Sequence, residues 1–206
     1  MQFDLIKEFE NSHFSKYDED EMNKLSKRLF DRSYIKFLKK FNGGSILENS
    51  LNFYGVLPNP LELEFFYNNH LFSKYYGDLF PNVLVFAEDI FGNQFAFLEN
   101  NKIGFINIET ACIDNTFENF EYFISKFSSS PDYFSGFSIA NKWIAKNGEI
   151  HPSQRLSPIK PFVIGGSYDL ENLHLLEKES LFAFTSFLAK QIKDLPDGTN
   201  ITLSLG

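Results

Sequence analysis

Between residues 81 and 109 the hydrophobic positions fall into three short runs divided by two polar breaks. Residues 83–88, 94–99 and 102–108 are strand-like, and the breaks at 89–93 and 100–101 carry Gly92-Asn93 and Asn100-Asn101. Asn tolerates positive φ better than most residues and Gly adopts it freely, so both breaks predict tight hairpins and the segment predicts a three-stranded antiparallel meander. Phe95 and Phe97 alternate with Gln94, Ala96 and Leu98, whereas Ile103, Phe105, Ile106 and Ile108 leave no fully polar face. The sheet must therefore be covered by other elements.

Helical periods bracket this meander. Asp18-Glu19-Asp20-Glu21 precedes Met22, Leu25, Leu29 and Phe30, with Lys24, Lys27 and Arg28 behind the acids. Negative charge at the start and positive charge at the end suit a helix dipole, so the acids read as a helix start rather than a metal site. A second helix presents Phe37, Leu38 and Phe41 on one face, with Ser33 as its cap. It stops at Asn42-Gly43-Gly44, where glycine supplies the left-handed C-terminal conformation. Residues 51–56 read as a strand. After the break at Leu57-Pro58-Asn59-Pro60, the loose period of Leu61, Phe65, Phe66, Leu71 and Phe72 predicts a short helix before Tyr75-Tyr76-Gly77.

Beyond the meander, Asn115 with Glu118 resembles a capping box ahead of Phe117, Phe120, Ile124 and Phe127. Ser130-Pro131 opens a further helix with Tyr133, Phe137, Ala140 and Ile144 on one stripe and Trp143 beside it, ending at Asn147-Gly148. Residues 150–160 are expected to be irregular, since Pro152, Pro158 and Pro161 forbid a long helix. Residues 162–164 and 172–176 predict short strands. The last long helix places Leu181, Phe184, Leu188, Ile192 and Leu195 on one face, and the alternation over residues 201–205 predicts a terminal strand. With no low-complexity linker and no internal repeat, the expectation is one α+β domain over residues 1–206: an antiparallel sheet with a central meander, flanked by helices, and an α/β extension from about residue 129.

Composition sharpens this picture. The chain has 206 residues, 43% of them apolar and 26 of them Phe. Burying one Phe is worth about 1.5–3 kcal/mol, so a chain that left most of them in water would forfeit more than the usual net stability of about 5–15 kcal/mol. A formal net charge of −8 argues against nucleic acid as a partner, because phosphate contacts need clustered Lys and Arg, and favours a basic partner if it is more than a device for solubility. A lone cysteine, Cys112, excludes an internal disulfide, and the start Met1-Gln-Phe-Asp-Leu-Ile-Lys-Glu lacks a basic region followed by an apolar run. A cytoplasmic protein with no membrane segment is expected.

Candidate chemistry is sparse. His13, His70, His151 and His174 lie far apart and none has a second His or Cys at ligand spacing, so no metal and no cofactor are expected. Cys112 would act as a nucleophile only with a histidine beside it in space; otherwise it is an unreactive thiol. Gly165-Gly166 lacks the Lys-Ser/Thr of a phosphate loop. In the Pro-bounded run Ile150-His151-Pro152-Ser153-Gln154-Arg155, His151 and Arg155 either hold an anion or fix the loop through nearby carbonyls. Glu88 and Asp89, at a strand end beside a turn, are either paired carboxylates or solvated turn charges, and the absence of a visible acid–base partner favours the second.

One resemblance organises these pieces. Tyr34-Ile-Lys-Phe37-Leu38-Lys-Lys-Phe41-Asn42-Gly43-Gly44, a strand ending at Tyr54-Gly55, and Val83-Leu-Val-Phe86-Ala-Glu88-Asp89-Ile-Phe-Gly92-Asn93-Gln-Phe95-Ala-Phe97 occur in the order helix, Asn-Gly-Gly, strand, strand, Gly-Asn, strand. This order resembles the SUKH superfamily, which includes bacterial immunity proteins and a yeast cell-wall regulator. The likeness spans roughly residues 18–128 and implies a SUKH-like core, with Gly43, Gly44, Gly92 and Asn93 as structural turn residues and no catalytic residues. It also implies a binder that neutralises a cognate polymorphic toxin, a basic protein encoded nearby, by direct contact. A non-catalytic regulator or scaffold of the same superfamily, and an enzyme working through His151 and Arg155, are the other two readings. The surface expected to meet the partner combines acids and aromatics around the variable segment and the first meander turn: Glu62, Glu64, Tyr75, Tyr76, Asp78, Glu88 and Asp89.

Overall fold

The structure is a computed structural model that describes residues 4–12, 17–29, 31–56, 63–99, 101–196, 198, 199 and 201. Three helices come first: α1 (Leu5–Ser12), α2 (Glu19–Arg28) and α3 (Arg32–Phe41). Asp18 accepts the Glu21 N–H at 2.9 Å at the head of α2, with Glu19, Asp20 and Glu21 in the first turn and Lys27 and Arg28 in the last. The acidic cluster is thus a helix start, as its charge order implies. The cap of α3 is Asp31 rather than Ser33: its Oδ1 accepts from the Ser33 and Tyr34 amides and its Oδ2 from the Phe120 amide at 2.8 Å. One carboxylate therefore begins α3 and ties it to a later helix.

At the end of α3, Asn42 takes the left-handed conformation (φ 49°) and its side chain exchanges hydrogen bonds with the backbone of Val56. Gly43 follows at φ 79°, and a Cβ there would stand 2.6 Å from the carbonyl oxygen of Phe53. Only glycine lets the chain turn this close to the neighbouring strand.

The chain then builds β1 (Gly44–Ile46), β2 (Leu51–Phe53), α4 (Phe65–Tyr76), β3 (Leu84–Asp89), β4 (Gln94–Phe97), β5 (Ile103–Asn107) and β6 (Cys112–Phe117). These six strands form one antiparallel sheet in the order β1-β2-β3-β4-β5-β6, each pairing with its sequence neighbours. The meander is present, with Phe95 opposite Phe105 and Gln94 opposite Ile106. Gly92 sits at φ 86° in its first turn, beside Asn93. The sixth strand lies where the capping box was expected: Asn115 is a strand residue, and the true cap is Asn119, which accepts the Tyr122 N–H at 2.9 Å ahead of α5 (Phe120–Ser129).

After α5 come α6 (Pro131–Ser135), α7 (Phe137–Asn147), β7 (Gln154–Pro158), β8 (Leu173–Glu177) and α8 (Lys178–Ile192). The single helix expected after Ser130 is broken at Gly136, which adopts φ 67°, and Ser130 makes no side-chain cap. Residues 154–158 are not irregular but form β7, paired antiparallel with β8; Pro158 sits at its end, where a missing N–H removes little from the ladder. Phe162–Ile164 is a 3-10 turn rather than a strand. Leu195 lies past the end of α8 and is exposed. Residues 202–205 of the expected terminal strand lie outside the described residues.

The core explains the Phe content. On one face of the sheet Phe86 lies 4.9 Å from Phe97, 5.2 Å from Tyr34 and 5.6 Å from Phe123, ring centre to ring centre. Such pairs add about 0.5–1.5 kcal/mol each beyond the area they bury. The other face is covered by α4 and α8, where Phe182 packs at 5.7 Å against Tyr76 and 6.1 Å against Phe72. Of the α4 aromatics, Phe65, Phe72 and Tyr76 are thus core residues, whereas Tyr67 is exposed. Among the described residues no helix is long and apolar enough to cross a membrane.

Candidate functional site

The most highly charged place in the interior is built on Glu88. The bulge in β3 between Val85 and Ala87 puts Phe86 and Glu88 on opposite faces, so that Glu88 turns to the face covered by α8, and its exposure is 0%. Arg155, the second residue of β7 and also 0% exposed, donates from Nη2 to Glu88 Oε1. Lys178, the first residue of α8, reaches the same oxygen at 2.6 Å and donates to Asn68 Oδ1 on α4 at 2.7 Å. Gln94 completes the ring, donating to Glu88 Oε2 at 3.2 Å while accepting from Tyr54 Oη at 2.8 Å. Burial by itself would raise the Glu88 carboxyl, but the guanidinium and ammonium outweigh it and hold the group below its ordinary range. Every member has a structural partner, so the cluster fastens β7 and α8 to the sheet.

Asp89 is buried as well. Its Oδ1 accepts the Phe91 and Asn93 amides at 2.9 and 2.8 Å, and its Oδ2 accepts Asn93 Nδ2 at 2.8 Å. The carboxylate thereby closes the first meander turn together with the backbone bonds from Gly92 N–H to the Asp89 carbonyl and from Asp89 N–H to the Asn93 carbonyl. Burial nonetheless outweighs these donors and pushes its pKa up to about 7.

The expectation that acids and aromatics near the first turn face a partner is therefore corrected for four residues. Glu88 and Asp89 are core groups, not solvated turn charges. Glu64 is 6% exposed and caps α4 by accepting the Tyr67 amide at 2.6 Å. Tyr76 is buried, donating to the Ile108 carbonyl at 2.8 Å and meeting Thr185 Oγ1 at 2.7 Å. Tyr75 is half-buried and bonds to Glu179, and Asp78 is exposed near Lys190. Glu62 lies outside the described residues. His151 is exposed and contacts Ser153, while Arg155 points inward, so the two do not converge on an anion. Cys112 is exposed, and among the described residues no group of three or more His, Cys, Asp or Glu side chains is arranged to hold a metal.

The surface that stands out was not expected. Strand β6 closes one side of the sheet, and Cys112, Ile113, Asp114 and Thr116 are exposed along it. Asn115 donates at 3.3 Å to the hydroxyl of Tyr133, a ring 67% exposed. Tyr122 on α5 is also exposed, at 44%, while Glu118 pairs with Lys102 and Glu121 accepts from the Ser33 hydroxyl. No alternation marks residues 112–117 as a strand, and Tyr133 had been assigned to a helix stripe; only the exposed ring chemistry of Tyr122 and Tyr133 offered a signal.

With this geometry in view, the family model of the SMI1 / KNR4 family (SUKH-1) matches residues 16–126, more than half of the 206-residue chain. The chain belongs to the SMI1/KNR4 (SUKH-1) family. Proteins of the SMI1/KNR4 family are in general non-catalytic immunity or regulatory proteins that act on protein partners. The crystal structure of Atu4351 from Agrobacterium tumefaciens aligns with a TM-score of 0.55 and 14% identity, over 85% of this chain and 83% of that chain. At that identity the likeness is one of fold, and it extends past the family match into the C-terminal segment. No curated protein matches the chain in sequence. In this SMI1/KNR4 chain Arg155 and Lys178, both beyond the matched region, enter the sheet of the family core.

Proposed function

We propose that the protein is an immunity protein, which binds a cognate bacterial toxin and neutralises it by direct contact rather than by chemistry. Family membership supports a protein partner. The observation that carries the finer reading is the exposed edge strand β6, where the apolar Ile113 and the charged Asp114 are exposed and Asn115 bonds to the exposed ring of Tyr133, on a chain of net charge −8. Aromatic anchors surrounded by charge are the composition of tight interfaces, and an open strand edge offers backbone donors and acceptors to a partner segment. Toxin domains that cut nucleic acid are often basic, and an acidic partner is steered to them at rates up to about 10⁸–10⁹ M⁻¹s⁻¹ at low salt.

The test is a binding titration of the purified chain against the toxin encoded by the neighbouring gene, run beside a growth assay in cells expressing that toxin. Association that weakens with added salt, together with rescued growth, is expected. Absence of both would remove the reading.

A further inference from the structure

Between the first meander turn, the end of β5 and the segment after β7 lies a cavity of about 230 Å³. Three of its walls are rings. Phe162 and Tyr168 stack with centres 4.0 Å apart, and Phe91 stands nearly perpendicular to them at 5.4 and 5.5 Å. A fourth wall is Glu109, a carboxylate only 6% exposed. Its Oε1 accepts the Phe162 amide at 3.2 Å and its Oε2 the Val163 amide at 2.9 Å, which leaves a lone pair on each oxygen.

The electrostatics of this cavity have one sign. Burial raises the Glu109 carboxyl, an opposition to charge that an incoming cation would relieve. The Tyr168 phenol is raised by burial and then by the negative charges of Asp89, Glu109 and Asp114. Tyr168 is 56% exposed, so the cavity opens to solvent at that ring. Its volume lies below the roughly 300–1,000 Å³ of small-molecule sites, which suits one side chain rather than a whole ligand.

We infer that this cavity receives a single lysine or arginine side chain presented by a partner protein. The exposed face of Tyr168, whose other face is stacked on Phe162, attracts the cation, and Glu109 accepts a charge-assisted hydrogen bond from it. A neutral aliphatic side chain of the same length would fill the space and leave Glu109 without a counter-charge. This inference rests on the toxin-binding reading and specifies the chemistry of one of its contacts.

The experiment titrates the full chain with the N-acetyl, N-methylamide derivatives of lysine, arginine and norleucine, following the backbone amide resonances of Phe162 and Val163. Saturable shifts are expected from both cations at millimolar concentration, and none from norleucine. Glu109→Gln should weaken the cations about tenfold, the loss of one charge-assisted hydrogen bond, and Tyr168→Leu about two- to fivefold. Tyr168→Leu should also weaken the toxin, because the same ring would hold the toxin's side chain. Equal response to norleucine, no response to either cation, or affinities unchanged in both variants would overturn the inference. If the probes fail in a chain that still binds its toxin, the cavity assignment falls and the toxin reading stands. If the probes bind in a chain that takes no toxin, the assignment to a partner's side chain is overturned together with that reading.

Discussion

Replacing Glu88 by glutamine removes the anion that, among the described residues, Arg155 and Lys178 share. Both cations stay where packing holds them, at 0% and 5% exposure, with a neutral amide in place of their counter-charge. Breaking a buried pair by removing one partner costs about 3–5 kcal/mol, because the remaining charge is left desolvated and uncompensated. For a chain of this size each kcal/mol shifts the melting temperature by about 2–4 °C, so Glu88→Gln should melt about 6–20 °C lower. The assay is calorimetric or near-UV unfolding at pH 7, with Glu179→Gln as the control. Glu179 pairs with Lys74 at 2.6 Å with both side chains about half exposed, at 53% and 51%, so that variant should melt close to the parent. Replacing Glu88, Arg155 and Lys178 together by methionine should cost less than Glu88→Gln alone, since no charge is then stranded. A Glu88→Gln variant melting within about 1 °C of the parent would refute the claim that this cluster is a desolvated ionic clamp.

Three further outcomes are expected. The Asp89 carboxyl, pushed up to about 7, should titrate near neutrality by ¹³C NMR. The unfolded chain ionises this group first, so its contribution to stability is full in acid and is lost as pH rises from about 4 to about 7; a midpoint below 4 would contradict the stated balance of burial over hydrogen bonding. Gly43→Ala should destabilise by about 1–3 kcal/mol in denaturant titrations, since the new Cβ would stand 2.6 Å from a backbone oxygen at φ 79°; unchanged stability would show that the turn relaxes. Tyr133→Ala should weaken toxin binding about tenfold or more without altering the melting temperature, given a ring that is 67% exposed.

The central meander was legible in the sequence because Gly92-Asn93 and Asn101 mark its turns and Phe residues mark its strands. The long amphipathic helices were legible for the same kind of reason. Strand β6 was not: Cys112–Phe117 lies at a sheet edge with its outer residues in water, so burial imposes no alternation on it. Prolines hid β7, since Pro152 and Pro158 bracket a strand whose pairing with β8 only the folded chain supplies. Glu88 and Asp89 were read as solvated because no counter-charge lies near them in sequence. Arg155 comes from 67 residues away, and Asp89 is satisfied by backbone amides that a sequence does not display. The cavity between Phe91, Glu109 and Tyr168 was hidden likewise, assembled from three separate segments.

The most direct test of the account is amide hydrogen exchange on the chain with and without the toxin encoded beside it. Slowed exchange along Cys112–Phe117 and at Val163 on complex formation is the predicted result. A complex that protects neither segment, or no change in exchange anywhere on mixing, would contradict it.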